Sequence, residues 1–510
     1  MTSTSHSIRP QHPRQVASST IAQALDVEAP ESAFFVTGVA SSSSDVSSGD
    51  VFFALPGAAK HGAHYASVAR EAGAAAIVTD AAGLALVHDL GIPVFVVENP
   101  RSLLGPISAL VYGTSESHPQ LFGITGTNGK TTAVYLLRAV LDSLGLSTGL
   151  TSTSERIIGQ TTFNSRLTTP EANEMHAFVA LMSECGVTHA VLEVSAHALS
   201  RSRVAGLHFD VVGFTNFSQD HLDDYSSMDE YFAAKQQLFT PECASRAVIV
   251  NDSDWTERLV TGATIPVTTV GLGDRADVDW HVHVTERTLR ATAFTMTSRS
   301  GESLSTSVPM AGDYSAVNAA LALVMCLTAG FTLDQVAAAV GGVHGINVSI
   351  PGRTEIVSGS TGPTFFVDYG HTPEAFATTL AALRPVTRGR LIMVCGADGD
   401  RDTTKRHAMG LNAAQGSDVL IITDYHPRTE DPAAIRAQLL AGARSGTRNT
   451  DVREEPDPRA AVRLAVSLAH EGDTILYAGP GHEDYRDVGS HRIEYSARDD
   501  ARLALKQAGW

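Results

Sequence analysis

A lysine followed by two hydroxyl residues at the end of a glycine-rich turn can hold a nucleotide phosphate. Residues 123–132 of this 510-residue chain read Gly123-Ile124-Thr125-Gly126-Thr127-Asn128-Gly129-Lys130-Thr131-Thr132. Backbone N–H groups in such a turn face an anion, the dipole of the following helix favours negative charge, and Lys130 adds a point charge. Thr131 places a hydroxyl where it can ligate the magnesium of ATP. The spacing departs from the usual phosphate loop, because Ile124 stands five positions before Gly129 and the glycines fall at 123 and 126. A chance Gly/Thr turn is the competing reading; strand, helix and Lys-Thr together outweigh it. Gly126, Thr127, Asn128, Gly129, Lys130, Thr131 and Thr132 are the expected ATP-binding loop.

Such a loop needs a strand before it and a helix after it. Residues 121–125 are apolar, and Val134, Leu137, Val140, Leu141 and Leu144 share one helical face. Two further groups fall where strands should end. Glu193 closes the run Ala190-Val191-Leu192, and His221 follows the candidate strand 210–215. In an open parallel sheet such positions line the crevice that the phosphate loop enters. Glu193 and His221 could complete a magnesium site begun by Thr131, although Mg²⁺ prefers oxygen ligands and a histidine points to a second, more tolerant site. Read alone, His221 is equally well a loop histidine.

The remaining pattern is α/β. Short β-like runs at 51–55, 75–78 and 94–97 alternate with Ala-rich helical stretches, and a Thr/Val/Ser-rich segment at 264–309 suggests added β structure before a helix at 313–329. Strands at 365–367, 390–394, 419–423 and 473–477 form a third unit. The expected division is a disordered lead-in 1–18 and domains 19–115, 116–348 and 349–510. The lead-in has no apolar run for a secretory signal, and the longest apolar stretch, 319–327, is too short to span a bilayer. A net charge of −18 argues against a nucleic-acid footprint. Cys185, Cys243, Cys326 and Cys395 have no metal or redox spacing and suit reduced, buried thiols. The expectation is a soluble, cytoplasmic monomer without nucleic-acid or membrane partners.

Taken in order, several segments carry a closer likeness. They are Thr125 to Thr132, Leu167-Thr168-Thr169-Pro170-Glu171, Glu193-Val194-Ser195-Ala196-His197-Ala198-Leu199, Asp220-His221-Leu222-Asp223 and Ala233-Ala234-Lys235 with Leu238-Phe239. Pro351-Gly352-Arg353-Thr354-Glu355, Val367-Asp368-Tyr369-Gly370-His371-Thr372-Pro373 and Gly399-Asp400-Arg401-Asp402 continue the series. Together they resemble the Mur ligases of peptidoglycan synthesis. Pro427-Arg428-Thr429-Glu430-Asp431-Pro432 and Gly481-His482-Glu483-Asp484-Tyr485 narrow the likeness to the ligase type that adds a diamino acid to UDP-N-acetylmuramoyl-L-alanyl-D-glutamate.

The resemblance implies a three-domain architecture with a central P-loop parallel-sheet ATPase domain and a Rossmann-like C-terminal domain. It implies ATP-driven amide synthesis through an acyl phosphate, with Lys130, Glu193, His221 and Lys235 in catalytic roles. Thr131, Glu193, His221 and Lys235 would serve two Mg²⁺ sites, the lysine as N6-carboxylysine. Asn318, Arg353, Asp368 and His371 would contact ATP. Ser43, Thr168, Thr169, Ser195 and Arg203 would grip the UDP-muramoyl-dipeptide, and Arg401, Tyr425, His426, Arg428, Gly479 and Glu483 the amino acid. The third domain would close over the central one on a hinge at 346–352.

The chain departs from the pattern in four places. Ser42-Ser43-Ser44 stands for Asp-Ser-Arg, Tyr425-His426-Pro427-Arg428 for Asp-Asn-Pro-Arg, Gly479-Pro480-Gly481 for Gly-Lys-Gly, and Thr403 for a lysine. Lysine, ornithine, diaminobutyrate and meso-diaminopimelate all stay open as the amino acid. His426 offers fewer donors than an amide, which favours a substrate without a second carboxylate. The alternatives are a folylpolyglutamate-synthase-like ligase, which usually has Gly-Ser after the loop lysine, and a non-catalytic nucleotide-binding regulator, which needs no second metal site.

Overall fold

Three sheets follow one another along the chain. The computed structural model describes residues 8–57, 60–87, 90–165, 167–275, 277–342 and 345–510. The first sheet is parallel throughout, in the order Gly38–Ala40, Asp50–Phe53, Ala76–Thr79, Val94–Val96. Residues 8–17, expected in a disordered lead-in, are instead engaged, and residues 1–7 lie outside the described residues. Arg9 donates from Nη1 to Asp50 Oδ1 (2.6 Å) and from Nη2 to the Asp45 carbonyl (2.8 Å). The amides of Gln11 and His12 donate to Glu184 at 2.6 and 2.8 Å, and Val16–Ala17 pairs with Phe35–Val36. Composition suggested disorder because these residues have few apolar side chains; backbone pairing and two acidic acceptors hold them instead.

The second sheet has eleven strands. Its parallel centre runs Thr148–Thr151, His189–Glu193, Gln120–Thr125, Val211–Phe214, Ala247–Val250, Val267–Leu272. Both faces of this centre are covered, which is why Leu121, Phe122 and Ile124 are all fully buried rather than alternating. Trp280–Arg287 continues the parallel run beside Val267–Leu272, antiparallel strands lie beyond at both edges, and the Thr/Val/Ser-rich segment supplies Thr292–Ser298 and Ser303–Val308. Helix Asp313–Ala329 follows, apolar on every side from Ala319 to Cys326 and buried among the strands and helix Lys130–Ser143. Truncating Leu321 or Leu323 to alanine there would cost about 2–5 kcal/mol.

The third sheet has the order Glu355–Ile356, Thr364–Asp368, Thr474–Ala478, Leu391–Cys395, Val419–Ile422, Asp451–Glu454, with only the first strand antiparallel. A separate hairpin pairs Tyr485–Val488 with His491–Glu494. The third unit is docked on the second: Arg353 reaches Thr131, and Lys405 Nζ lies 3.9 Å from Asp220. Among the described residues no helix is long and apolar enough to cross a membrane.

Candidate functional site

The strand Gln120–Thr125 lies between His189–Glu193 and Val211–Phe214, so the residues after all three strands converge. The turn that follows the central strand requires glycine at two points. Gly126 has φ 143° and Gly129 φ 82°, and a Cβ on Gly126 would meet Thr215 Oγ1 at 2.0 Å. The neighbouring strand end clamps the turn. The Thr127 amide donates to the Asn216 carbonyl and the Asn128 amide to Asn216 Oδ1, both at 2.9 Å, and Thr215 Oγ1 donates to the Asn128 carbonyl at 2.6 Å. No motif marked Asn216 in the sequence; only its place after a strand could have done so.

Lys130 folds back to donate from Nζ to the Thr127 carbonyl (2.8 Å), and burial lowers its pKa against the pull of Glu193 and Asp220. A buried ammonium beside an anion-binding turn is a receptor for phosphate. Thr131 donates from Oγ1 to Glu193 Oε2 at 3.0 Å. Glu193 is 1% exposed and also accepts from the amide (2.9 Å) and hydroxyl (3.1 Å) of Thr153, a residue with no sequence signature. A hydroxyl and a carboxylate in contact at the head of the loop make a hard oxygen pair that fits Mg²⁺.

His221 and Lys235 do not hydrogen-bond Glu193 among the described residues. His221 has φ 56°, sits 3.5 Å from Asp220, and stacks edge-on to His197 with ring centroids 4.7 Å apart. Burial lowers the His221 pKa to about 4 against the attraction of Asp220, so a ring nitrogen is free to bind metal. Lys235 is 1% exposed, donates from Nζ to the Gly126 carbonyl (2.7 Å) and lies over the Tyr231 ring at 4.5 Å. Burial and then Lys130 lower its pKa well below the ordinary value.

The third unit meets this loop through Arg353. Its guanidinium donates from Nη2 to Thr131 Oγ1 (2.9 Å) and lies 4.3 Å over the Tyr369 ring, while Nε is buried with no acceptor. An orphaned, buried guanidinium N–H is what a phosphate oxygen would satisfy. Asp368, expected to touch ATP, instead accepts from the amide (2.7 Å) and hydroxyl (3.2 Å) of Thr354 and the amide of Gly370 (2.7 Å). Thr354 has φ 46°, costly for a β-branched residue, so Asp368 holds the turn that aims Arg353. Asn318 packs against Gly129 behind the loop, within 3.0 Å of where a Cβ there would lie. His371 lines the cleft with Nδ1 on the Tyr369 carbonyl at 2.9 Å.

The cleft continues to the far end of the third unit as one space of about 500 Å³ lined by Lys130, Thr131, Thr168, Glu193, Ser195, Arg203, Arg353, Arg401, Arg428 and Glu483 among others. Tyr425 and His426 both bond Glu483 Oε2, His426 from Nε2 at 2.8 Å. The His426 Nδ1 accepts the Asp487 amide (2.7 Å), so the proton of the neutral ring resides on Nε2 and is donated to Glu483. Burial raises the Glu483 pKa, but the bonds from His426 and Tyr425 outweigh it and hold the group below its ordinary value. Arg428, at φ 49°, is fixed by the Gly399 carbonyl (2.8 Å) and Asp398 (3.2 Å). Arg401 stands exposed at the rim, and Gly479 has φ 122° on the wall.

At the opposite wall Thr169 accepts the Ser195 amide (3.0 Å) and donates to the Glu193 carbonyl (2.8 Å), while the Thr168 hydroxyl lies 3.1 Å from that of Thr153. Arg203 is already matched to Glu171 (2.9 Å) and the Thr169 carbonyl (3.2 Å), so its fork is less open than expected. Ser43 does not join the cleft. It opens the short turn Ser43–Asp45 on the first sheet.

Three family models cover most of the chain: the Mur ligase catalytic domain at residues 35–117, the Mur ligase middle domain at 124–326 and the Mur ligase glutamate ligase domain at 352–481. The chain belongs to the Mur ligase family. A UDP-N-acetylmuramyl-tripeptide synthetase of Leifsonia xyli subsp. xyli is 54% identical over 99% of this chain and 98% of its own length. A UDP-N-acetylmuramoyl-L-alanyl-D-glutamate–2,6-diaminopimelate ligase of Streptomyces coelicolor is 39% identical over 98% of each chain. A solved structure of a ligase of that name matches at TM-score 0.67 and 26% identity, covering 98% of this chain and 100% of the other.

Proposed function

We propose that this protein is an ATP-dependent ligase of peptidoglycan synthesis that joins a diamino acid to the D-glutamyl carboxylate of UDP-N-acetylmuramoyl-L-alanyl-D-glutamate. The observation that carries the reading is the single cleft in which the phosphate loop meets Arg353 at one end and Arg428 with Glu483 at the other. A carboxylate is a poor electrophile, so it would first take the γ-phosphoryl group of ATP; the amine then attacks the acyl phosphate, and phosphate leaves. Lys130 and Arg353 would neutralise charge on the transferred group. Thr131 and Glu193 would hold Mg²⁺, which supplies further charge stabilisation. His221 and Lys235 would serve a second ion. The neutral Lys235 amine is the form that combines with CO₂, giving a carbamate and one proton, and that carbamate would add an oxygen ligand. Thr168, Thr169, Ser195 and Arg203 would face the muramoyl-dipeptide, with Ser43 toward the UDP end of the first unit.

Arg428 and Arg401 suit the α-carboxylate of the amino acid and Glu483 its α-ammonium. His426 and Tyr425 both give their bonds to Glu483 and offer few donors to a second carboxylate, so lysine or ornithine is the preferred reading over meso-diaminopimelate. The units 19–115, 116–348 and 349–510 would bind UDP-sugar, ATP and amino acid respectively, in a cytoplasmic monomer. Phosphate release from ATP, measured with the muramoyl dipeptide and a panel of amino acids, tests this. A clear preference for meso-diaminopimelate would overturn the amino-acid reading, and no release with any amino acid would overturn the ligase.

A further inference from the structure

The hairpin 485–494 has no part in the ligase reading above. It turns at Gly489, whose φ of 58° suits a two-residue hairpin turn. Its main chain is fastened to the loop that carries Tyr425, His426 and Arg428. The Asp487 amide donates to His426 Nδ1 (2.7 Å), the Asp487 carbonyl accepts the Arg428 amide (3.2 Å), and the Gly489 amide donates to the Arg428 carbonyl (2.7 Å). Arg486 adds a bond from Nε to the Tyr425 carbonyl at 2.7 Å. The hairpin therefore cannot shift without the loop.

Tyr485 and Asp487 are two apart on one strand, so their side chains share a face, and both residues line the cleft. Asp487 Oδ1 accepts from Arg492 Nε at 3.2 Å, and Oδ2 has no hydrogen bond among the described residues. His426 bonds the Glu483 carboxylate through Nε2 and the Asp487 main-chain amide through Nδ1, so one imidazole ring fixes the backbone of the hairpin beside Glu483. Asp487 thus brings a carboxylate oxygen without a hydrogen-bond partner among the described residues to the cleft wall near Glu483, where a side-chain ammonium could take it up.

We propose that the hairpin 485–494 forms the subsite for the side-chain ammonium of the acceptor amino acid, with Asp487 as its anionic partner. The inference rests on the ligase reading. A purely structural role for Asp487, as the cross-strand partner of Arg492, makes a different prediction, because the pair is exposed at the rim and worth little.

The test uses the full chain with ATP, the muramoyl dipeptide, and either lysine, ornithine or norleucine, which is lysine without its terminal amine. Asp487→Asn should raise the KM for the diamino acids about ten- to a hundredfold, leave the KM for ATP unchanged, and weaken discrimination against norleucine. Arg492→Ala should shift the same KM less than about threefold. A diamino-acid KM unchanged in Asp487→Asn, or matched in its rise by Arg492→Ala, overturns the subsite while the ligase stands. No phosphate release by the unmodified chain with any amino acid overturns the ligase and the subsite together.

Discussion

Arg353 donates to the Thr131 hydroxyl oxygen at 2.9 Å across 222 positions of chain, and that hydroxyl donates its own proton to Glu193 at 3.0 Å. The third unit is thus wired through one hydroxyl to the carboxylate that ends a central strand. Arg353 already rests on the loop, so an arriving phosphate exchanges one partner of Arg353 for a better one.

Arg353→Ala should therefore open the molecule as well as slow it. We expect turnover to fall on the order of 10²-fold, as for loss of a charge clamp on a transferring phosphoryl group. Small-angle scattering should show a larger radius of gyration for the variant. Unchanged scattering alongside lost activity would mean that Arg353 binds phosphate without holding the units together.

Lys130→Ala should lose a factor of about 10² or more in rate while the fold persists. Thermal unfolding and steady-state phosphate release measure the two separately. A near-normal rate would remove the phosphate loop from the mechanism.

Lys235→Ala should be nearly inactive and should recover with short carboxylates that occupy the vacated oxygen position. Full activity without rescue would dismiss the second metal. Inactivity that no carboxylate relieves would count against the carbamate and leave Lys235 as the amine that braces the Gly126 carbonyl.

His176 gives a pH dependence with a definite sign. It is fully buried between the first two units, with Nε2 donating to the Ala205 carbonyl (2.9 Å) and Nδ1 facing the Thr114 hydroxyl (2.6 Å). Burial lowers its pKa from 6.5 to about 4. Between those values the unfolded chain binds a proton that the folded chain refuses, so stability falls as the pH drops through that window and is unaffected above it. The full effect is about 3 kcal/mol. Denaturant unfolding of the native chain and His176→Gln across pH 4–7 should show the steeper slope in the native chain; parallel curves would assign the acid sensitivity elsewhere.

The phosphate loop was legible because its chemistry, its glycines and its flanking apolar runs are contiguous in sequence. Glu193 and His221 were legible as strand-end residues for the same reason. Thr153 and Asn216 were not, because their roles are to orient Glu193 and the loop, and hydrogen bonds of that kind leave no periodic trace. Asp368 was read as an ATP contact; its oxygens accept from Thr354 and Gly370, a use that depends on the strained φ of Thr354 and has no sequence signature. Residues 8–17 read as unstructured because composition reports buried apolar surface, whereas Arg9 and the amides of Gln11 and His12 are held by Asp50 and Glu184.

Those same contacts limit how the molecule can move. The leading segment touches the first sheet at Asp50 and the helix Ala172–Glu184 of the central unit at Glu184, so it works as a strap between them. Helix Pro100–Tyr112 meets that helix as well, through a shared apolar cluster. The third unit is held to the central one by side-chain contacts such as Arg353 on Thr131 and Arg290 on the Gly359 carbonyl (2.7 Å). We expect a turnover cycle to move the third unit and to leave the first two as a fixed frame. The sugar-nucleotide end of a substrate would stay parked while only its reactive end is alternately covered and released.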